Sequence, residues 1–130
     1  ILTRSNVYTP DHVVVQDIKL LESVDVIAGL KPGGWILINA SRQPEPLTIF
    51  SGFHLACVDA TGIAIRHRLG TPTHPIINTA MLGAFTRMLE MPPLDMIFGA
   101  IKEDITVKPQ QNIMASKDAF DRVQLIGKIN

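Results

Sequence analysis

Short apolar runs alternate with helical patterns along most of the chain. Val13-Val14-Val15, Trp35 to Ile38, Leu55 to Val58 and Ile76-Ile77 are continuous apolar runs, each followed within two residues by a polar one: Asp17, Asn39, Asp59 and Asn78. Runs without polar alternation predict strands buried on both faces, as in parallel sheets. Between them the period changes. Leu20, Leu21, Val24 and Ile27 or Ala28 recur at helical spacing after Asp17, and Gly29 ends that pattern. Lys31-Pro32-Gly33-Gly34 reads as a turn. Residues 41–46 (SRQPEP) read as a proline-broken loop, and residues 47–53 fit neither template cleanly. Helices are predicted over Ala60 to Leu69, with Gly70 as the stop, and over Asn78 to Leu89. A third carries the stripe Leu94, Ile97, Phe98, Ile101 and Ile105, and a last one runs from about Gln110 to Val123. Ile1 to Ser5 reads as the end of a strand and Asn6 to Asp11 as a turn. Strands alternating with helices predict an α/β fold with a mostly parallel sheet, whose ligands meet the carboxyl ends of the strands.

Composition narrows the class of protein. The 130 residues form a chain long enough for one domain with a real core. Twelve basic and twelve acidic residues give a formal net charge of +0, without the clustered Lys and Arg of a nucleic-acid footprint. The single cysteine, Cys57, excludes an internal disulfide framework and fits a reducing, cytoplasmic setting. No apolar run approaches the ~20 residues of a membrane helix. The chain opens on ILTRSNVYTP, without a methionine and without a first strand–helix unit, and reads as a domain truncated at its N-terminus.

Candidate chemistry is sparse. There is no nucleophile elbow, Walker loop or HExxH motif, and His12, His54, His67 and His74 lack metal-ligand spacing. His67, among arginines, reads as mid-helix on a solvated face, and Cys57, in an apolar strand, as a buried inert thiol. Gly33-Gly34 follows a helix and precedes a strand, the reverse of a nucleotide-binding loop. Met81, Met88, Met91, Met96 and Met114 read as core filling. The polar residues after the strands are the best candidates. Asp17, Asn39, Asp59 and Asn78 either cap the next helices or form a ridge facing a ligand or partner, and the two roles are compatible. Asn78 and Thr79, at a helix start, lead that group, and Thr61 lies near the start of the preceding helix.

Five segments in order (VVVQD, DVIAGLKPGGWILINAS, VDATGIA, IINTAMLGAF and NIMASKDAF) resemble the gamma subunit of 2-oxoacid:ferredoxin oxidoreductases, over Val13 to Phe120. The resemblance implies a three-layer Rossmann-like domain over residues 1–130, incomplete at its N-terminus, because the family's opening strand and Gly-Gly-Gln-Gly turn would precede Ile1. It implies an enzyme that converts a 2-oxoacid and coenzyme A to acyl-CoA and CO2 and passes electrons to ferredoxin. Thiamine diphosphate, magnesium and 4Fe–4S clusters would belong to alpha, beta and delta partner subunits, leaving this chain with no catalytic residue and no metal. By resemblance Asn78 carries a coenzyme A contact, with Thr79 beside it; Asn39, Asp59 and Thr61 form a weaker rim. The residue two before the asparagine, arginine in some pyruvate-specific relatives, is Ile76 here. Two alternatives stay open: the small subunit of indolepyruvate oxidoreductase, and a non-catalytic α/β assembly or binding module.

Overall fold

The computed structural model describes residues 11–19, 29–90 and 92–130. The expected strand end over residues 1–5, the turn before residue 11, the helical pattern over residues 20–28 and Met91 lie outside the described residues. The chain forms two compact units, one of residues 1–57 with 124–130 and one of residues 58–123.

The first unit holds a mixed, mostly parallel sheet in the order β1-β2-β3-β4. Its strands are β1 (His12–Val15), β2 (Trp35–Asn39), β3 (His54–Val58) and β4 (Gln124–Lys128). β1 and β2 run parallel, His12 opposite Trp35 and Val15 opposite Ile38, whereas β4 lies antiparallel to β3. Val13, Val15, Ile36, Ile38, Leu55 and Cys57 bury one another, with Phe50 and Ile129 closing the cluster. Burial without a partner pushes the Cys57 thiol up to about 11, so it stays protonated and unreactive at neutral pH.

The Gly33-Gly34 turn is what lets this sheet close. Gly33 takes a φ of +81°, and a Cβ on Gly34 would strike the carbonyl oxygen of Asp11. Only glycine satisfies either demand without strain. The turn then bonds outward. Gly33 N–H donates to the Gly52 carbonyl (3.2 Å), Gly34 carbonyl accepts from His54 N–H (2.8 Å), and Gly52 N–H donates to the Ile129 carbonyl (2.9 Å). His12 Nδ1 accepts from Trp35 N–H at 3.1 Å, and the Trp35 and His54 rings pack with centroids 4.9 Å apart. The two glycines are therefore structural, in keeping with their order relative to the strand.

The second unit carries four helices: α1 (Ala60–Arg66), α2 (Asn78–Leu89), α3 (Leu94–Asp104) and α4 (Pro109–Arg122). α2 and α4 pack through three rungs. Thr79 Oγ1 donates to Asn112 Oδ1 at 2.8 Å, Gly83 lies against the backbone of Ser116, and the Arg87 guanidinium sits 5.4 Å over the Phe120 ring. Each rung advances four residues on both helices, so the helices run parallel with one face of each in register. Ala80, Ala84, Ala115 and Ala119 are fully buried, and a Cβ on Gly83 would overlap the Ser116 carbonyl. Small side chains at these positions permit the short interaxial distance.

Several expectations need correction. Ile76-Ile77 is not a strand. Gly70 and Pro75 make one isolated bridge around a turn in which Thr71 and His74 exchange backbone bonds, and Ile76 is left 51% exposed. The turn sends the chain straight into α2, so no ladder forms there. The strand β4 carried no sequence signal, because QLIGK has a glycine at φ +91° and pairs with a partner some seventy residues away through an irregular register at Leu55/Ala56. α1 ends at Arg66, short of Leu69. Met81 and Met88 fill the core, but Met96 and Met114 are 62% and 56% exposed.

Two substitutions on α2 test the helix contact in opposite directions. Gly83→Ala forces α2 off Ser116, and a destabilisation of roughly 1–3 kcal/mol is expected by chemical denaturation. Thr86 is 1% exposed and its hydroxyl has no hydrogen-bond partner among the described residues. Thr86→Val, of equal shape, is expected to leave stability unchanged or raise it by up to about 1 kcal/mol in the same assay.

Candidate functional site

A cavity of about 410 Å³ opens within the second unit, at the start of α2. Leu69, Ile76, Ile105 and Val107 give it an apolar wall, and Asn78, Thr79, Lys108 and Asn112 bring the polar groups. The wall is made by two loops, residues 67–77 between α1 and α2 and residues 105–108 between α3 and α4. Both loops use left-handed backbone at non-glycine residues, Arg68 at φ +58° and Lys108 at φ +52°. That conformation costs roughly 1–2 kcal/mol per residue. A direct bond holds the pair together, Lys108 Nζ donating to the Arg68 carbonyl at 2.6 Å. Pro109 follows at the first position of α4, where its missing N–H leaves nothing unsatisfied.

Asn112 is the hub of the polar wall. It is 7% exposed, and its amide donates to the carbonyls of Val107 (3.2 Å) and Lys108 (2.9 Å) while its oxygen accepts from Thr79. One side chain thus ties the 105–108 loop to the first turn of α2. Lys108, Asn112, Ile105, Val107 and Leu69 were not among the residues singled out from the sequence as site candidates. The available signal was the asparagine that opens NIMASKDAF, which served there only as a family marker.

The sequence-derived candidates separate. Asn78 and Thr79 both line the cavity; Asn78 is exposed and Thr79 is buried. Asn78 does not cap α2: Ile77 holds that position, and no side chain caps the helix. Asp59 does cap α1, accepting from Gly62 N–H at 2.9 Å, and it stays exposed. Thr61 is half-buried on the first turn of α1, and neither it nor Asp59 reaches the cavity wall. Asn39 belongs to the first unit, 9% exposed at the end of β2, where its amide donates to the Gln16 carbonyl at 3.1 Å. Asp17, in the same unit, accepts from Lys19 N–H at 3.0 Å.

A second polar cluster joins α1 to α4. Asp118 Oδ2 meets Arg66 Nη1 at 2.8 Å and His67 Nε2 at 3.0 Å, and its Oδ1 accepts from Arg122 Nε. His67 is half-buried in the residue that closes α1, not mid-helix on a solvated face. Partial burial pushes the Asp118 carboxyl up, but hydrogen bonds from His67, Arg122 and Arg66 outweigh it and hold the group below its ordinary 3.8. Among the described residues, no group of three His, Cys, Asp or Glu could hold a metal ion, and no helix is long and apolar enough to cross a membrane.

A mostly parallel four-stranded sheet and helices that fall between strands along the chain define an α/β fold. Residues 1–123 match the family model described as pyruvate ferredoxin/flavodoxin oxidoreductase, and the chain belongs to that family. It is 48% identical over 82 residues to pyruvate synthase subunit PorC of Methanosarcina barkeri, covering 63% of this chain and 43% of that protein. It is 40% identical over 124 residues to the pyruvate/ketoisovalerate oxidoreductases common subunit gamma of Thermococcus kodakarensis, covering 92% and 64% respectively. The crystal structure of pyruvate oxidoreductase subunit PORC from Thermotoga maritima superposes with a TM-score of 0.75 at 30% identity, over 93% of this chain and 67% of that one. The chain thus spans less than two thirds of these two curated relatives.

The Asp118 cluster makes a stability prediction. Because the folded carboxyl binds its proton less readily than the unfolded one, the unfolded chain takes up more protons as pH falls through this range, and stability drops with it. The contribution is complete above the ordinary carboxylate range and is lost below it. Asp118→Asn is therefore expected to flatten the fall of the urea midpoint between about pH 5 and pH 3 relative to the unsubstituted protein.

Proposed function

We propose that this chain is the gamma component of a 2-oxoacid:ferredoxin oxidoreductase, contributing one gamma-type domain that serves as scaffold and as a contact for coenzyme A. The observation that carries this reading is the agreement of family, sequence and fold over more than nine tenths of the chain: residues 1–123 match the family model, and the Thermotoga maritima subunit superposes with a TM-score of 0.75. In the assembled enzyme, thiamine diphosphate with magnesium and 4Fe–4S clusters supply the oxidative decarboxylation and the electron path. Alpha, beta and delta subunits carry them, and ferredoxin takes the electrons. The names of the curated relatives favour pyruvate or a branched-chain oxoacid as substrate.

The role of this chain's own residues is binding, not proton transfer. Among the described residues the cavity brings no carboxylate, imidazole or thiol to its wall; its polar groups are amides, a hydroxyl and an ammonium bonded to a carbonyl. Such a set orients a ligand and excludes water from it. Asn78, exposed at the mouth and not engaged in capping, is the group proposed to meet coenzyme A.

Purification of the native complex from its own cells tests the assembly. Stoichiometric thiamine-binding and iron–sulfur subunits are expected, with 2-oxoacid oxidation that depends on coenzyme A; a solitary protein would favour the non-catalytic module. In the complex, Asn78→Ala is expected to raise the KM for coenzyme A about 3- to 10-fold, the loss of one hydrogen bond, with the melting temperature unchanged. An unchanged KM would remove Asn78 from the site.

A further inference from the structure

We propose that the cavity reads the polarity of its ligand: Thr79 is locked as a hydrogen-bond acceptor, Asn112 is the positioning residue that locks it, and the bound segment presents an amide N–H. This rests on the coenzyme A reading above and deepens it, assigning to the cavity the amide-bearing pantetheine arm.

The direction of each hydrogen bond follows from the one before it. Asn112 has two amide hydrogens, and carbonyl oxygens of Val107 and Lys108 face its nitrogen at 3.2 and 2.9 Å. The reversed amide would set its oxygen against two carbonyl oxygens, with no hydrogen between them. The nitrogen therefore faces the loop and the oxygen faces Thr79, 2.8 Å away. An amide oxygen only accepts, so the Thr79 hydroxyl must donate its one hydrogen to it. What the Thr79 oxygen has left is lone pairs. Both partners of this bond belong to the cavity wall and both are more than nine-tenths buried, so water does not readily substitute for a mismatched ligand.

The rest of the wall is mostly apolar. Lys108 is the cationic side chain among the described lining residues, and one of its three ammonium hydrogens goes to the Arg68 carbonyl at 2.6 Å. No lining residue is acidic. Leu69, Ile76, Ile105 and Val107 instead offer apolar contact on either side of the acceptor. A chain of methylene groups interrupted by amides would meet an acceptor for its N–H and apolar surface for its carbons. Asn78 at the mouth both donates and accepts, and so does not add to the discrimination.

The experiment is calorimetric and uses the subunit in its native complex. The probes are pantetheine and its two analogues in which one amide N–H is replaced by an ester oxygen. Pantetheine is expected to bind, and one ester analogue is expected to bind about tenfold more weakly, the effect of one lost hydrogen bond. Thr79→Val should weaken pantetheine and abolish the difference between the probes; Thr79→Ser, which keeps the hydroxyl, should restore it. Should Thr79→Val fail to fold, Ile76→Trp, at an exposed position of the rim, replaces it and is expected to exclude all three probes. Equal binding of amide and ester forms, no binding of pantetheine, or discrimination that survives Thr79→Val would overturn the proposal. Coenzyme A-dependent turnover without discrimination would sink this assignment alone, whereas discrimination without such turnover would sink the oxidoreductase reading and leave the cavity's polarity standing.

Discussion

The second unit depends on how closely α2 approaches α4. Gly83 against Ser116 sets that distance, and no larger residue fits there. With the helices parallel and the rungs four residues apart, the same approach brings Thr79 to Asn112 one turn before it and Arg87 to Phe120 one turn after. The polar wall of the cavity is thus the first rung of a packing interface. Cavity lining and helix packing share residues here, so a change that separates the helices also opens the cavity.

The two loops of the cavity are held by side-chain-to-carbonyl bonds in place of a ladder. Lys108 to Arg68 and Asn112 to Val107 and Lys108 pin backbone that would otherwise favour another region of φ and ψ. This is a common arrangement for a binding rim: rigid helices beneath, with short loops whose geometry is set by a few directed bonds. Farther along α4, Asp118 does comparable work at the other end of the helix, gathering Arg66, His67 and Arg122 around one carboxylate and tying α1 to α4.

In the first unit glycine has a similar role. Gly33 and Gly34 look, as a pair of letters, like a phosphate loop. Their geometry shows a turn that must pass within contact of Asp11 and then bond to Gly52 and His54. The same residue type serves catalysis in one context and sheet closure in another, and the order of neighbouring elements separates the two.

Much of this was legible along the chain. The apolar runs at Trp35 and Leu55 are strands buried on both faces, the one at Val13 is a strand that alternates buried and half-buried positions, and the local pattern records all three as strands. The helices from Asn78, Leu94 and Pro109 follow from 3.6-residue periodicity, and the family followed from five motifs in order. Asn78 and Thr79 stood out as cavity candidates for the same local reason, a polar pair at a helix start. What the chain could not reveal depends on residues distant in sequence. β4 exists because it meets β3, Ile76-Ile77 is not a strand because the pairing before it stops at the isolated Gly70–Pro75 bridge, and His67 leaves the solvent because Asp118 lies 3.0 Å away. Asn112 joined the site only when α4 came to lie beside α2. Periodicity and capping are properties of neighbours in the chain and are written there; a cavity and the direction of its hydrogen bonds belong to groups brought together by packing, and no single stretch of sequence contains them.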